Sequence, residues 1–179
     1  MRLFTSILFS LAVVASSSAQ LTVLELLAAA PSNSHFNDIV SNDDLNSLLD
    51  SETDLTVLVP NNDAIDAYAA AMGMTTADFI ASESAVDMAL YHIVPNEAIM
   101  FSELSGESVA TTALGMPISF HEDEVVNATD VAAADLDASN GVLHLLDEVV
   151  ALSDGIYQWL DASTQHNYLT TAVNFLGLD

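Results

Sequence analysis

The chain has 179 residues, 26 of them Asp or Glu and only one Lys or Arg, for a formal net charge of −25. Nucleic acid and anionic lipid are excluded as electrostatic partners, because both require a basic surface. There is no cysteine, so neither disulfides nor a thiol nucleophile enter the account.

The first element is a leader. Arg2 precedes an almost wholly apolar run over residues 3 to 15, and Ser17, Ser18 and Ala19 supply small residues before Gln20. This pattern reads as a secretory signal peptide over 1–19, too short and too weakly flanked to span a membrane. Its removal predicts a secreted, extracellular product of roughly 160 residues, enough for one domain with a sizeable core. No later segment is long and apolar enough to cross a bilayer. Since Arg2 is the only Lys or Arg, the processed chain contains neither, and its carboxylates must rely on backbone amides, helix N-termini, water or bound cations. The acids are dispersed through a chain that is 51% apolar, the pattern of a packed domain with an acidic shell rather than a solvating tail.

Thr22-Val23-Leu24-Glu25 has the spacing of a capping box and predicts a helix start. Phe36, Ile39 and Val40, then Leu45, Leu48 and Leu49, recur at helical spacing and predict two further short helices. Leu55 to Val59 reads as a strand ended by Pro60. Ala64 to Met72 reads as a helix stopped by Gly73, Thr75 to Phe79 as the capped start of another, and Ser84 to Leu90 as a third. Tyr91 to Pro95 reads as a strand with a proline end. Beyond residue 108 the texture turns to short strand-like runs at Pro117 to His121, Glu124 to Asn127, Val131 and Gly141 to Val150. Asn140-Gly141 ahead of alternating apolar residues is a strong signal for a tight turn entering a half-buried strand. Helices segregate to the first half and strands to the second, which predicts an α+β fold.

Two segments carry a family resemblance. Thr56-Val57-Leu58-Val59-Pro60-Asn61-Asn62-Asp63-Ala64-Ile65 resembles the T-V-F-A-P-T-N-x-A-F signature of fasciclin (FAS1) domains. Asn140-Gly141-Val142-Leu143-His144-Leu145-Leu146-Asp147 resembles the N-G-V-I-H-V-I-D signature of the same family, and Leu90-Tyr91-His92-Ile93-Val94 its L-x-Y-H-V segment. The resemblance implies a FAS1-type fold, a sandwich or wedge of short strands with several helices along one side, over residues 20–152. It further implies an extracellular cell-adhesion or matrix-interaction module acting through cell-surface or matrix proteins or glycans. Carried over by position, partner contact falls on Tyr91, His92, Asp135 and Leu136. Residues 133–139, Ala-Ala-Asp-Leu-Asp-Ala-Ser, depart from the animal adhesion motif, with Ala133-Ala134 in place of Glu-Pro and Asp137 in place of Met. The residues themselves also admit a structural reading in which Asp135 caps backbone amides, Tyr91 and His92 belong to the core, and His144 is a buried, hydrogen-bonded strand residue.

Residues 153–179 stay open between a C-terminal amphipathic helix and the truncated start of a second such domain, because Ile156 to Ala162 repeats the pattern of Val23 to Ala29. Asn127-Ala128-Thr129 is the one Asn-x-Ser/Thr sequon and marks Asn127 as a glycan acceptor in a secreted eukaryotic protein. Enzyme signatures are missing. His121-Glu122 lacks the second histidine of a zinc protease helix, and there is no Gly-x-Ser-x-Gly elbow or phosphate-cradling glycine loop. The expectation is a non-enzyme with no cofactor and no defined metal site. Weak, diffuse association with divalent cations follows from charge alone. The competing function is accordingly an acidic matrix protein that associates with cations or mineral through its charge.

Overall fold

The computed structural model describes residues 20–51 and 53–150. Residues 1–19, expected to be a signal peptide, and the C-terminal segment 153–179, with its two alternative readings, lie outside the described residues.

The helices begin with α1 (Val23–Ala28), which carries the expected capping box. The Thr22 hydroxyl accepts from the Glu25 N–H (3.2 Å) and the Glu25 carboxylate accepts from the Thr22 N–H (2.9 Å). Next come α2 (Ser34–Val40) and α3 (Asp43–Ser51), burying the Phe36/Ile39/Val40 and Leu45/Leu49 stripes. After strand β1 (Leu55–Pro60), helix α4 (Asn62–Ala71) starts on the Asn61 side chain, which accepts from the Ala64 N–H at 2.8 Å. It ends before Gly73, whose φ of +74° is the left-handed closure a helix C-terminus favours. Helices α5 (Thr76–Ile80) and α6 (Glu83–Tyr91) are capped by Thr75 and Ser82.

At one junction the structure corrects the sequence reading. Tyr91 is the last residue of α6 and His92 its C-cap, so the strand expected from Tyr91 shrinks to β2 (Ile93–Val94). Both residues suit a helix end as well as a strand, and the i−4 contact of His92 with Met88 decides for the helix. The remaining strands are β3 (Glu107–Thr111), β4 (Pro117–His121), β5 (Val125–Val126), β6 (Thr129–Ala138) and β7 (Gly141–Leu146). The last expected strand therefore ends at Leu146 rather than Val150.

The strands form one mixed sheet of seven in the order β2-β1-β7-β6-β5-β4-β3. β1 and β7, the two signature segments, pair in parallel from Leu55 opposite Gly141 to Pro60 opposite Leu146. Both lie mid-sheet with cores on either face, which is why they read as nearly continuous apolar runs. Side chains alternate between faces: Leu55, Val57, Val59 and Leu143 pack on the helices, whereas Leu58 and Leu146 pack on a second core with Tyr91, Phe101, Ile118, Phe120 and Val126. β6 joins the two halves of the sheet. Val125 and Val126 of β5 pair with its first two residues, and β7 pairs from Val131 to Ala138.

Candidate functional site

The register of β6 on β7 slips twice, between Val131 and Ala133 and again between Ala133 and Leu136. Bulges of this kind bend the strand and re-aim its side chains. At the second slip Asp135 has φ +57°, a left-handed conformation that asparagine and aspartate tolerate better than most residues. Three bonds hold it there. Its carboxylate accepts from the Phe101 and Ser102 N–H groups (2.8 and 2.9 Å), the free amides at the head of a 3-10 turn over Phe101–Glu103. Its own N–H donates to His144 Nδ1 (3.1 Å), and His144 Nε2 donates to the Ile99 carbonyl (2.9 Å). The Phe101 ring stands edge-on to His144 at 4.7 Å.

These bonds fix the tautomer and charge of the site. Burial pushes the His144 pKa down, against the opposing pull of the Ile99 carbonyl and Asp135, so the ring is neutral at pH 7 with Nδ1 as acceptor. Its 3.9 Å approach to the Asp135 carboxylate is thus no salt bridge at that pH. Burial opposes ionisation of Asp135, but hydrogen bonds from Ser102 and Phe101 outweigh it and hold the carboxyl below its ordinary value.

Leu136 follows directly, opposite Leu143 where the regular pairing with β7 resumes. It is 39% exposed on the rim of an apolar groove of about 190 Å³ between α1 and the sheet. Leu26, Leu27, Leu143 and Leu145 line the groove, with Asp137 and Asn33 as its polar members. A larger depression of about 460 Å³, lined by residues 128–132 with Asp147 and Glu148, is open and acidic. Among the described residues no group of three or more His, Asp or Glu is placed to hold a metal ion, and no helix is long and apolar enough to cross a membrane.

Tyr91 and His92 sit elsewhere. Tyr91 is 2% exposed and His92 fully buried. The Tyr91 hydroxyl donates to the Pro117 carbonyl (3.3 Å) and accepts from Asn127 Nδ2 (3.0 Å). His92 Nδ1 donates to the Met88 carbonyl (2.7 Å), and Nε2 accepts from the Val150 N–H (3.1 Å). Burial, offset in part by the Met88 bond, lowers its pKa from 6.5 to about 4. β1 lies between the two histidines, where the Leu58 N–H donates to the His92 carbonyl and Leu58 stands opposite His144. The structure thus leaves Leu136 exposed beside Asp135 and buries Tyr91 and His92 in the core.

Asn127 is exposed with φ +53°, and its Oδ1 accepts from the Ser119 N–H (3.0 Å). The residues that sequence reasoning missed are Phe101 and Ser102, whose amides receive the Asp135 carboxylate, and Ile99, whose carbonyl receives His144. Thr56 anchors the same loop, accepting from the Ile99 N–H (2.8 Å) and donating to the Glu97 carbonyl (2.6 Å). No local pattern marks these bonds, since they join positions far apart in the chain.

Comparison with known proteins follows the same lines. The fasciclin domain family model matches residues 31–152. Protein sll1483 of Synechocystis sp. is 31% identical over 140 residues, covering 76% of each chain. A solved FAS1 domain pair from the insect cell adhesion molecule fasciclin I superposes with a TM-score of 0.55 at 16% identity over 74% of this chain. The chain spans about half (51%) of that pair's length, and at this identity the likeness concerns the fold. From the family match and the relative together, the chain belongs to the fasciclin domain family.

Proposed function

We propose that the chain is a secreted, extracellular adhesion or matrix-interaction module that binds partners through the surface built on the β6 bulge. The observation that supports this reading is a left-handed Asp135, locked by three hydrogen bonds, that sets an apolar side chain at the rim of an apolar groove. Local strain combined with an exposed Leu is the kind of feature kept for a site rather than for stability. Asp135 and Leu136 are then the residues at the surface, with Asp135 positioning Leu136, while Tyr91 and His92 are buried structural residues of the core. An apolar groove favours a protein partner with an apolar side chain over a glycan, and the charge of −25 favours cationic residues beside it.

In this reading residues 1–19 are removed on secretion and Asn127 carries a glycan. Its amide uses one N–H toward Tyr91, which leaves the other for the glycosidic bond. A glycosidase-sensitive mass at the Asn127 peptide tests that part. The acidic-shell alternative, association with cations or mineral, is favoured by one observation only, the absence of any Lys or Arg past Arg2.

The discriminating experiment is cell attachment to surfaces coated with the full chain, its Leu136→Asp variant and a Val109→Asp control. Val109 is 63% exposed on β3, another strand of the sheet. Loss with Leu136→Asp alone supports the bulge surface. Equal attachment by all three overturns it.

A further inference from the structure

Asn140 is held from three directions. Its Oδ1 accepts from the Val23 N–H (2.9 Å), its Nδ2 donates to the Leu49 carbonyl (2.9 Å), and its own carbonyl accepts from the Leu55 N–H (3.1 Å). One residue in the β6–β7 turn therefore ties together the start of α1, the end of α3 and the start of β1. Gly141 stands in register between Ala138 and Leu55, and a Cβ there would lie 2.8 Å from the Leu55 Cβ. Asn140-Gly141 is also the single Asn-Gly pair in the chain.

An Asn-Gly pair has an intrinsic reactivity, because no side chain shields the glycine nitrogen. That nitrogen attacks the asparagine Cγ. The new N–Cγ bond forms as the Cγ–Nδ2 bond breaks, and the displaced amide leaves as ammonia with the proton from the glycine nitrogen. Water then opens the cyclic imide at either carbonyl, giving aspartate or isoaspartate. Beyond water, no oxidant, reductant or other co-reactant is needed.

From these contacts we infer that Asn140 is a deamidation site guarded by the fold, silent in the native state and irreversible once the chain opens. Attack requires the Asn140 amide to swing over the Gly141 nitrogen. In the native state that motion breaks the bonds to Val23 and Leu49 and pulls Gly141 out of its pairing, so reaction waits on local or global opening. The product does not fit back. Aspartate keeps the acceptor for Val23 but sets an oxygen against the Leu49 carbonyl, two acceptors with no proton between them, and no Lys or Arg past Arg2 offers its charge a partner. Isoaspartate adds an atom to the backbone at the point where Gly141 already touches Leu55. Each unfolding episode therefore converts part of the population into molecules that return to a less stable fold.

The test incubates the full chain at mildly alkaline pH, in buffer and in denaturing urea. Cleavage at acidic residues and mass spectrometry then locate the amide-to-acid exchange, with enzymatic isoaspartate methylation as a second readout. Conversion at Asn140 is expected to be about tenfold or more faster in urea, with the Asn96-Glu97 pair as the slow internal reference. After return to buffer, converted molecules are expected to unfold at lower urea than unconverted ones, and Asn140→Asp to reproduce that shift. Equal conversion rates in buffer and urea overturn the guarding. An unchanged urea midpoint for converted molecules overturns the trap. The rate comparison uses the unsubstituted chain, so it stands even if Asn140→Asp fails to fold.

Discussion

Acidification acts on this fold through His92. The ring is fully buried, with Nδ1 donating to Met88 and Nε2 accepting from the Val150 N–H. A second proton would have to go on Nε2, where it would face that N–H inside the core. Burial therefore lowers the folded pKa from 6.5 to about 4. The unfolded chain binds the proton more readily, so stability is fully present above 6.5, falls as the pH drops through the window, and levels off below about 4. At 1.36 kcal/mol per unit the loss is about 3 kcal/mol, a large share of a typical domain stability of about 5–15 kcal/mol. His144 adds to it in the same direction, since burial lowers its pKa too.

Neutralising carboxylates relieves repulsion in a chain of charge −25 and works the opposite way, so His92 must be isolated by difference. Gln at position 92 offers the same donor and acceptor without a titrating site. Urea unfolding of the full chain and of His92→Gln across that pH window gives two stability curves. Their difference should shrink toward acid by about 3 kcal/mol. A difference that stays constant from pH 7 to pH 4 refutes the reasoning.

Gly141→Ala drives a Cβ into the Leu55 backbone and to 2.8 Å from its Cβ, with an expected loss of about 3 kcal/mol in urea unfolding, or no folding at all. Asp135→Ala removes both acceptors from the Phe101 and Ser102 amides and leaves alanine at φ +57°. It should cost about 2–4 kcal/mol by the same assay. Salt should raise the melting temperature, because past Arg2 no Lys or Arg offsets the acids. A melting temperature that does not move between low and high salt contradicts that expectation.

Much of this architecture is legible in the chain, because it rests on local chemistry. Thr22 with Glu25, Asn61 and Thr75 announce helix starts through their own side chains, and Gly73 announces a stop. β1 and β7 are legible because both of their faces are buried. β3 is not, since its single buried residue is Ala110 and its largest apolar side chain, Val109, faces solvent. The Tyr91-His92 pair misleads because aromatic residues ahead of Ile93 and Val94 suit a strand, while the contact that settles the helix is the bond to Met88. At the site, the family resemblance points to Asp135 and Leu136 and the residues themselves to Asp135 as a cap on backbone amides, but neither says which amides. The amides of Phe101 and Ser102 and the ring of His144 reach Asp135 only when β6 bulges across β7. No periodicity encodes a slip in register.

The most direct test of the proposed function is cell attachment to the immobilised full chain across a salt series, with calcium and with chelator. A contact centred on Leu136 and its apolar groove predicts attachment that persists at moderate ionic strength and is indifferent to chelator. Attachment that disappears with salt or with chelator would contradict it and make the acidic shell the functional feature.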